Sequence, residues 1–347
     1  MPRFSGAKTV RSWIGRSIVE PTASRVRRGS RPRIEASARG GDQAEGAGSA
    51  SGAGPTDGRV TRRMLMARGL GLLGLCGFAS AGYAAGVEPH SLTVTRYRPA
   101  LPRWPAGRRL TITVISDLHA GGPNMGHEQV RRVVEVANLQ SSDLVVLLGD
   151  YFATHRFVTE RVPHEVWAAE LARLHAPLGV WAVIGNHDWW HDVEGVRRAL
   201  AEVEIPVLEN EARLLGAPGR RFWLAGLGDQ LAYRLGHRQF RGVDDLPGTL
   251  ASIDTDDPVV LLAHEPDIFP QVPDRVAITL AGHTHGGQIR VPLIWHELVP
   301  SAYGARFAYG HIVEENRHMI VSGGLGTSIV PLRFRMPPEI VGVELGI

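Results

Sequence analysis

The sequence predicts an α/β domain built around a largely parallel sheet, and two features of the chain lead to that expectation. Short apolar runs alternate with stretches that have the periodicity of amphipathic helices, as in strand–helix–strand units. Four polar motifs follow apolar runs directly and a fifth follows a weaker run, at the position where ligands collect beyond the carboxyl ends of parallel strands. One edge of the sheet is therefore expected to carry a functional site.

The apolar runs are predicted as strands because they are short and rich in β-branched residues. Those that precede the polar motifs are Leu110–Ile115, Leu144–Leu148, Gly179–Ile184, Val259–Leu262 and the weaker Val276–Leu280. Further runs are expected to form strands of a second sheet, namely Phe222–Leu227, Met319–Ser322 and Ile340–Leu345. The chain therefore has enough strands for two sheets.

Helices are predicted between the strands. Gly126–Asn138 has apolar residues on one helical face, at Val130, Val133, Val134 and Ala137. Pro163–His175 repeats this pattern, and proline suits the first turn of a helix. Asp192–Val203 is the third such stretch. These helices are expected to cover the outside of the sheet.

The polar motifs contain seven side chains that suit divalent metal ions. The motifs are Ser116-Asp117-Leu118-His119, Gly149-Asp150, Gly185-Asn186-His187-Asp188, Ala263-His264-Glu265 and Gly282-His283-Thr284-His285-Gly286. Carboxylate, amide and imidazole donors without a thiolate suit manganese, iron, zinc, cobalt or nickel, and the sequence does not select among them. The candidate metal ligands are Asp117, His119, Asp150, Asn186, His264, His283 and His285.

Spacing supports these candidates individually. Asp117 and His119 are two residues apart, so they share one face just past the end of a strand. Asp150 ends another apolar strand, where a carboxylate would be costly to bury without a cation. His283 and His285 flank one threonine, so a single loop can direct both imidazoles inward. As isolated residues they would be ordinary turn or surface residues, and only their combination indicates a site.

The order D-x-H, G-D, G-N-H-D, H and G-H-T-H resembles the calcineurin-like metallophosphoesterases over roughly residues 110–346. The resemblance implies a four-layer α/β/β/α sandwich. It also implies two metal ions that share Asp150 as a bridging ligand. The first ion would take Asp117, His119, Asp150 and His285, and the second Asp150, Asn186, His264 and His283.

The resemblance further implies the chemistry. A hydroxide that bridges the metals would attack phosphorus in line, without a covalent enzyme intermediate. His187 corresponds to the family's histidine that binds no metal; it would stabilise developing charge and protonate the leaving oxygen. Asp188 could hold the imidazole of His187, or it could be a simple polar turn residue.

The substrate is expected to be a phosphoester, most simply a phosphodiester. The tail segments Gly286–Arg290, Gly324–Ser328 and Pro331–Ile340 resemble an exported or membrane-associated bacterial branch of the family. That branch includes phosphodiesterases and hydrolases of UDP-2,3-diacylglucosamine, a lipid A precursor, which is the alternative. A third hypothesis is a non-catalytic domain that binds metal or phosphate, but it predicts missing ligands and none is missing.

Other residues of this region have two interpretations each. Arg333 and Arg335 could grip a phosphate or be surface charge near the chain end. The segment Val291–Tyr303 is expected to pack into the core, although it could instead cover the site or contact lipid. Trp189 and Trp190 could stack on a substrate base, contact an acyl chain or support their loop.

The chain divides into four parts. Residues 1–60 are predicted to be a disordered basic leader, which is not translated at all if synthesis starts near Val60. Residues 61–85 combine Arg62-Arg63 with an apolar stretch, which indicates a twin-arginine export signal or a retained membrane anchor at 69–85. Residues 86–109 are expected to be a linker and 110–347 the catalytic domain. The predicted location is the periplasm or cell envelope, whereas hydrolysis of a lipid A precursor is expected in the cytoplasm.

Charge excludes one class of partner. The net charge of +3 arises in the leader, since residues 1–60 hold eleven Lys or Arg against five Asp or Glu. The chain from Gly86 onward is net negative, so no nucleic acid partner is expected. The expected partners are a phosphoester substrate, which could be a phospholipid or a nucleotide-sugar lipid, the twin-arginine export machinery and the membrane.

Overall fold

The computed structural model describes residues 62–236 and 239–347. The predicted leader, residues 1–60, and Thr61 lie outside the described residues. The first described element is helix α1 (Arg62–Gly86), in which Leu70, Leu72 and Leu75 are exposed. The predicted signal or anchor therefore coincides with a helix.

Thirteen strands and five further α-helices follow α1 in the described part of the chain. The strands are β1 (Thr93–Tyr97), β2 (Leu110–Ile115), β3 (Leu144–Leu147), β4 (Val180–Ala182), β5 (Glu211–Leu215), β6 (Phe222–Gly226), β7 (Tyr233–Gly236), β8 (Gln239–Arg241), β9 (Val259–Leu262), β10 (Ile278–Ala281), β11 (Gly310–Glu314), β12 (Arg317–Val321) and β13 (Glu339–Leu345). The helices are α2 (His127–Asn138), α3 (His164–Leu171), α4 (Asn186–His191), α5 (Val193–Glu202) and α6 (Leu246–Ala251).

Two mainly parallel sheets form the centre of the domain. The first has the order β1-β13-β2-β3-β4, and only β13 and β2 pair antiparallel. The second has the order β11-β12-β10-β9-β6-β5, in which the two edge strands β11 and β5 are antiparallel. The parallel strands β2 and β3 of the first sheet, and β9 and β10 of the second, are each followed by a loop at the carboxyl end.

Three apolar cores separate four layers. The first core lies between the first sheet and helices α2, α3 and α5, and contains Val133 and Trp167. The second lies between the two sheets, where Ile112 of β2 and Val260 of β9 are fully buried. The third lies on the outer face of the second sheet, against α6 and the 3-10 turn Pro266–Gln271. This is the predicted α/β/β/α sandwich, and the fold class is confirmed.

The predicted strands and helices are present, with ends that shift by a few residues. The stretch Pro163–His175 is shorter than expected, since the helix ends at Leu171. One assignment was wrong: Ile340–Leu345 was placed in the second sheet, but β13 lies in the first sheet between β1 and β2. Periodicity identifies a strand but does not specify its partner.

The predicted linker, residues 86–109, contains a strand of the domain. Thr93–Tyr97 pairs in parallel with β13 and closes the edge of the first sheet. Its alternation of exposed and half-buried residues is too weak for recognition from sequence. The ordered sheet therefore begins before Leu110.

A hairpin of β7 and β8 stands outside both sheets. Its strands are exposed, and it contacts α4 through aromatic side chains. Trp190 stacks on Phe240 with ring centroids 5.6 Å apart, and Trp189 meets the ring of Tyr233 at 5.3 Å. The two tryptophans therefore support this hairpin.

Candidate metal centre

The seven candidate ligands all follow the carboxyl ends of strands. Loops after β2 and β3 carry Asp117, His119 and Asp150, and Asn186 begins helix α4 after β4. Loops after β9 and β10 carry His264, His283 and His285. The first sheet thus contributes every oxygen donor and one imidazole, whereas the second contributes only imidazoles.

One group of donors lies around His119. Its Nε2 atom is 3.1 Å from Nε2 of His285, and that atom of His285 is 3.6 Å from Oδ1 of Asp117. The three side chains are buried. Their donor atoms lie within 4.8 Å of one another, which is close enough to contact one ion.

A second group lies around Asn186. Its Oδ1 atom is 2.9 Å from Nδ1 of His283 and 3.0 Å from Nε2 of His264. Asp150 stands between the two groups, because its Oδ2 is 3.5 Å from Nε2 of His119 and 3.3 Å from Nε2 of His264. The arrangement has the geometry of two adjacent donor sets that share one carboxylate.

The donor chemistry fits divalent cations. Burial lowers the pKa of His119 and of His283 to about 3, so both imidazoles are neutral and offer lone pairs. Two imidazole nitrogens at 3.1 Å can share only one proton. Oδ1 of Asn186 is directed at the two imidazoles of His264 and His283. Inward-facing neutral donors around carboxylates are the environment in which such ions bind.

His264 is oriented by the first sheet. Its Nδ1 donates to the carbonyl of Leu148 at 2.6 Å, so Nε2 faces Asp150 and Asn186. Burial alone would lower the pKa of His264, but Asp150 raises it above the usual value. Any proton on Nε2 of His264 would have to leave before that atom could bind a cation.

The backbone at the site is strained. Asp117, His119, Asp150, His283 and His285 all have φ between 43° and 68°. For residues other than glycine this left-handed conformation costs about 1–3 kcal/mol each and persists only where surrounding contacts enforce it. Such contacts hold the first loop, since the N–H of His119 donates to the carbonyl of Asp150 at 2.9 Å. The strained backbone directs successive side chains inward.

Gly185 shows how closely the motifs approach one another. A Cβ atom at this position would lie 2.4 Å from Oδ1 of Asp150 and 2.8 Å from Cε1 of His264. The loop after β4 could not reach the site with any larger residue. The glycine of the Gly-Asn-His-Asp motif is thus required by packing at the donor groups.

His187 lies beside the donors and contacts other residues. Its Nδ1 pairs with Oγ1 of Thr154 at 2.5 Å, and its Nε2 is 3.4 Å from Oγ of Ser328. Its backbone N–H donates to Oδ1 of Asp150 at 2.8 Å. Burial lowers the pKa of His187 to about 4, although Asp150 opposes this. The ring is half-buried at the edge of the site.

Of the two interpretations of Asp188, the structure contradicts the one in which it holds the imidazole of His187. Its carboxylate accepts the backbone N–H groups of Gly185, Asp150 and Tyr151 at 2.8–3.0 Å, and these bonds join the loops after β3 and β4. The imidazole of His187 pairs instead with Thr154. Thr154 therefore takes the place expected for Asp188, and no local signal identified it because it is distant in sequence.

Arg333 is not surface charge, and backbone carbonyls occupy its guanidinium. It is fully buried, and its guanidinium donates to the carbonyls of Gly323, Gly326 and Met336 at 2.6–3.0 Å. Its Nη2 also lies 3.4 Å from Nδ1 of His285. Arg333 therefore holds the tail against the donor groups, whereas Arg335 is exposed.

The expectation for Val291–Tyr303 was also wrong in part. Leu293 is 88% exposed, and Ile294 and Leu298 are about half exposed. Only Val299 and Ser301 of this segment are buried. The segment is thus an exposed apolar loop after the last donor motif.

Glu265 lies within the same neighbourhood as His264 and His283. One of its oxygens accepts the N–H of Gln230 at 3.0 Å, however. Burial and the adjacent Glu265 raise the pKa of Asp229. We therefore assign Glu265 to holding the loop before the hairpin.

Comparisons with known proteins agree with this geometry. The family model for calcineurin-like phosphoesterases matches residues 110–287. An uncharacterized metallophosphoesterase of Aquifex aeolicus is 30% identical over 75% of this chain and 94% of its own length. The uncharacterized metallophosphoesterase YkuE of Bacillus subtilis is 30% identical over 75% of this chain and 87% of its own length. Phosphodiesterase YaeI of Escherichia coli is 29% identical over 82% of this chain and 98% of its own length.

Proposed function

This chain belongs to the calcineurin-like phosphoesterase family and is a phosphoric ester hydrolase, and from this premise we propose that it is a phosphodiesterase dependent on two divalent cations. The relative named phosphodiesterase YaeI, similar over most of both chains, supports the diester preference. The non-catalytic hypothesis has no support, because every donor of the family pattern and His187 are present.

The position of Asp150 carries the proposal. Its Oδ2 lies within 3.5 Å of an imidazole in each donor group, which is what a carboxylate shared by two cations requires. The first cation would be held by Asp117, His119, Asp150 and His285, and the second by Asp150, Asn186, His264 and His283. Bound cations of this kind activate water and bind phosphoryl oxygens.

His187 is proposed to move a proton at Nε2. Thr154 fixes the ring through Nδ1, and this leaves Nε2 directed toward the edge of the site. Burial lowers its pKa in the free protein. Negative charge that develops on a leaving oxygen would raise the pKa of His187. Its Nε2 would then hold the proton that the leaving oxygen takes up.

A second candidate is the UDP-2,3-diacylglucosamine pyrophosphate hydrolase. The exposed apolar side chains of Leu293, Ile294 and Leu298, in the loop after the last donor motif, favour a substrate with acyl chains. The predicted export of the domain argues against a cytoplasmic substrate. We therefore keep the general phosphodiesterase as the main proposal.

The test combines metal analysis with two chromogenic esters. Purified protein loaded with manganese should contain about two ions per chain and hydrolyse bis-p-nitrophenyl phosphate faster than p-nitrophenyl phosphate. Protein depleted of metal is the control and should be inactive. A single ion per chain would contradict the dinuclear proposal, and faster hydrolysis of the monoester would contradict the diesterase proposal. If the protein hydrolyses UDP-2,3-diacylglucosamine but neither chromogenic ester, the result would favour the second candidate.

We also propose export by a twin-arginine signal. Arg62 and Arg63 precede a span, Arg68–His90, that is long and apolar enough to cross a membrane, a criterion that signal sequences also meet. Changing both arginines to lysine should leave the protein in the cytoplasmic fraction, because this export route reads the arginine pair. Unchanged export of the double variant would contradict the proposal.

A further inference from the structure

The loop after the last donor motif carries apolar side chains that the domain leaves uncovered. Leu293 is 88% exposed, and Ile294 and Leu298 are about half exposed. Leu293 also has a φ of 77°, a left-handed conformation that is costly for a bulky residue. Single exposed apolar residues are ordinary, but three of them in one short, strained loop indicate a contact surface.

A niche of about 350 Å³ lies in the same region. Its wall consists of Arg290, Pro292, Trp295 and Arg335. The guanidinium of Arg290 lies 5.2 Å from the centre of the Trp295 ring and 4.7 Å from that of the Tyr309 ring. Burial lowers the pKa of Arg290, and the positive charge of Arg335 also lowers it. Two arginines that are close to each other therefore line one niche beside the apolar loop.

In the described part of the chain, no carboxylate forms an ion pair with either arginine. Tyr309 and Glu339 oppose the lowering of the pKa of Arg290. The two oxygens of Glu339 are engaged, however, because they accept the N–H of Gly323 and the hydroxyl of Tyr309, both at 2.8 Å. Arg335 is exposed, and its φ of 57° is a strained backbone conformation. The niche therefore offers two cationic side chains to an anion.

Arg306 provides a contrast on the same side of the domain. Its guanidinium lies 5.6 Å from the ring of Tyr303 and 4.9 Å from that of Phe307, so it packs on aromatic rings as Arg290 does. Unlike Arg290, it is paired with a carboxylate, since its Nε is 2.6 Å from Oε1 of Glu314. Stacking on aromatic rings is thus common to both arginines, whereas the charge of Arg290 is not matched in this way.

The tail that borders the niche is joined to the end of helix α1. The N–H of Arg333 donates to the carbonyl of the buried Ala84 at 3.0 Å. The next residue, Phe334, accepts the N–H of Arg290 at 2.8 Å. Ala84 belongs to the span Arg68–His90, which is long and apolar enough to cross a membrane. One short segment of the tail therefore contacts both the end of a candidate membrane helix and the start of the apolar loop.

We propose that the loop and the niche form a membrane-binding surface, made of Arg290, Leu293, Ile294, Leu298 and Arg335. The apolar side chains would enter the acyl region of a bilayer, and the two arginines would bind the phosphate of an anionic phospholipid headgroup. The half-buried indole between them suits the boundary between acyl chains and headgroups, where tryptophan is enriched. The inference goes beyond the proposed function, because none of these residues is a metal donor.

A fluorescent probe on the loop tests this surface in the full chain. Cys76 is the only cysteine, so Cys76→Ser allows a single label at Leu293→Cys. With vesicles of phosphatidylglycerol and phosphatidylcholine whose acyl chains are brominated, the probe should be quenched at least about twofold, because the loop inserts to the acyl boundary.

The matched control carries the same probe at Leu139→Cys. Leu139 is 79% exposed and follows helix α2, which covers the outside of the first sheet. This probe should not be quenched, even if helix α1 alone anchors the chain to the vesicle. Quenching that is equal at the two positions, or absent at position 293, would overturn the proposal.

Substitutions of the arginines test the headgroup contact in the labelled chain. Arg290→Gln and Arg335→Gln should each raise about fivefold the mole fraction of phosphatidylglycerol that gives half-maximal quenching, the effect of one basic residue at an anionic surface. Arg306→Gln should change it less than about twofold, since that arginine is already paired. Glu297→Gln, on the same loop, should lower it, because a negative charge is removed.

The exposed Arg335 keeps this test valid if Arg290→Gln does not fold. Quenching that responds neither to Arg335→Gln nor to the replacement of phosphatidylglycerol by phosphatidylcholine would overturn the headgroup contact.

Metal depletion separates the membrane-binding surface from the proposed function. The quenching measurement requires no hydrolysis, so an inactive protein still tests the surface. Protein depleted of metal should be quenched as strongly as protein loaded with manganese, because the surface contains no donor. Loss of quenching on metal removal would assign the lipid contact to the metal centre and overturn a separate surface. The vesicles contain no nucleotide-sugar lipid, so binding to them is not recognition of the second candidate's substrate.

Discussion

The two sheets contribute different chemistry to one site. Loops of the first sheet bring the carboxylates Asp117 and Asp150, the amide of Asn186 and one imidazole, whereas loops of the second bring three imidazoles. Neither set alone surrounds a cation, because each donor group contains side chains from both sheets. The apolar core between the sheets therefore determines the geometry of the site as directly as the ligands do.

Asp150→Ala is expected to have the largest effect, because its carboxylate lies beside an imidazole of each donor group. The variant should lose both ions and at least about 100-fold in activity, more than the loss of a residue that only supports a ligand. Elemental analysis and hydrolysis of bis-p-nitrophenyl phosphate measure the two effects. His285→Ala, which affects one group, should retain about one ion per chain.

The control for Asp150→Ala is Asp245→Asn. Asp245 caps helix α6 by accepting the N–H of Gly248 at 2.9 Å, away from the donors. This variant should lose at most about 1 kcal/mol of stability and keep both ions. Two ions per chain in Asp150→Ala would show that Asp150 is not shared.

His187→Ala sharpens the contrast between two adjacent residues in the first turn of helix α4. Asn186 faces the donors, whereas His187 pairs with Thr154 at the edge. The variant should keep its metal content but lose about 100- to 10,000-fold in kcat, the range for loss of a general acid. Thr154→Val should cause a smaller loss with a changed pH profile. Unchanged turnover in His187→Ala would exclude the proposed role.

Substitutions at two neighbouring valines distinguish an effect on packing between the two sheets from a general loss of stability. Val260 is fully buried between the sheets, and Val259 is fully buried on the outer face of the same strand. Alanine at either position should reduce the free energy of unfolding by about 2–3 kcal/mol. Only Val260→Ala should also weaken manganese binding measured by titration. Equal manganese affinities of the two variants would show that packing between the sheets does not affect metal binding.

Prediction from the sequence succeeded where a residue's role follows from its immediate neighbours. The strands before the motifs and helix α2 were recognisable because burial imposes a local period on apolar residues. Asp117 and Asp150 were recognisable because a carboxylate after a buried strand needs a partner. Thr154 was not, since its contact with His187 spans 33 positions.

Arg333 is a second residue whose role could not be predicted from its neighbours in the sequence. Arginine near a chain end suggests an exposed charge or a ligand for phosphate, but the fold buries the guanidinium among three carbonyls. The placement of β13 in the first sheet failed for a similar reason. A strand's partner depends on which edge remains open once the other strands have paired, and that is a property of the whole sheet.

The sequence by itself determined the α/β class and the strands that precede the motifs, because these depend on local periodicity. From residue chemistry it also predicted the seven donors. Only the tertiary structure decided which donors face one another, and that Asp188 holds backbone while Thr154 holds His187. Those features arise from contacts between segments far apart in the chain, and such contacts are fixed when the two sheets and the hairpin pack together.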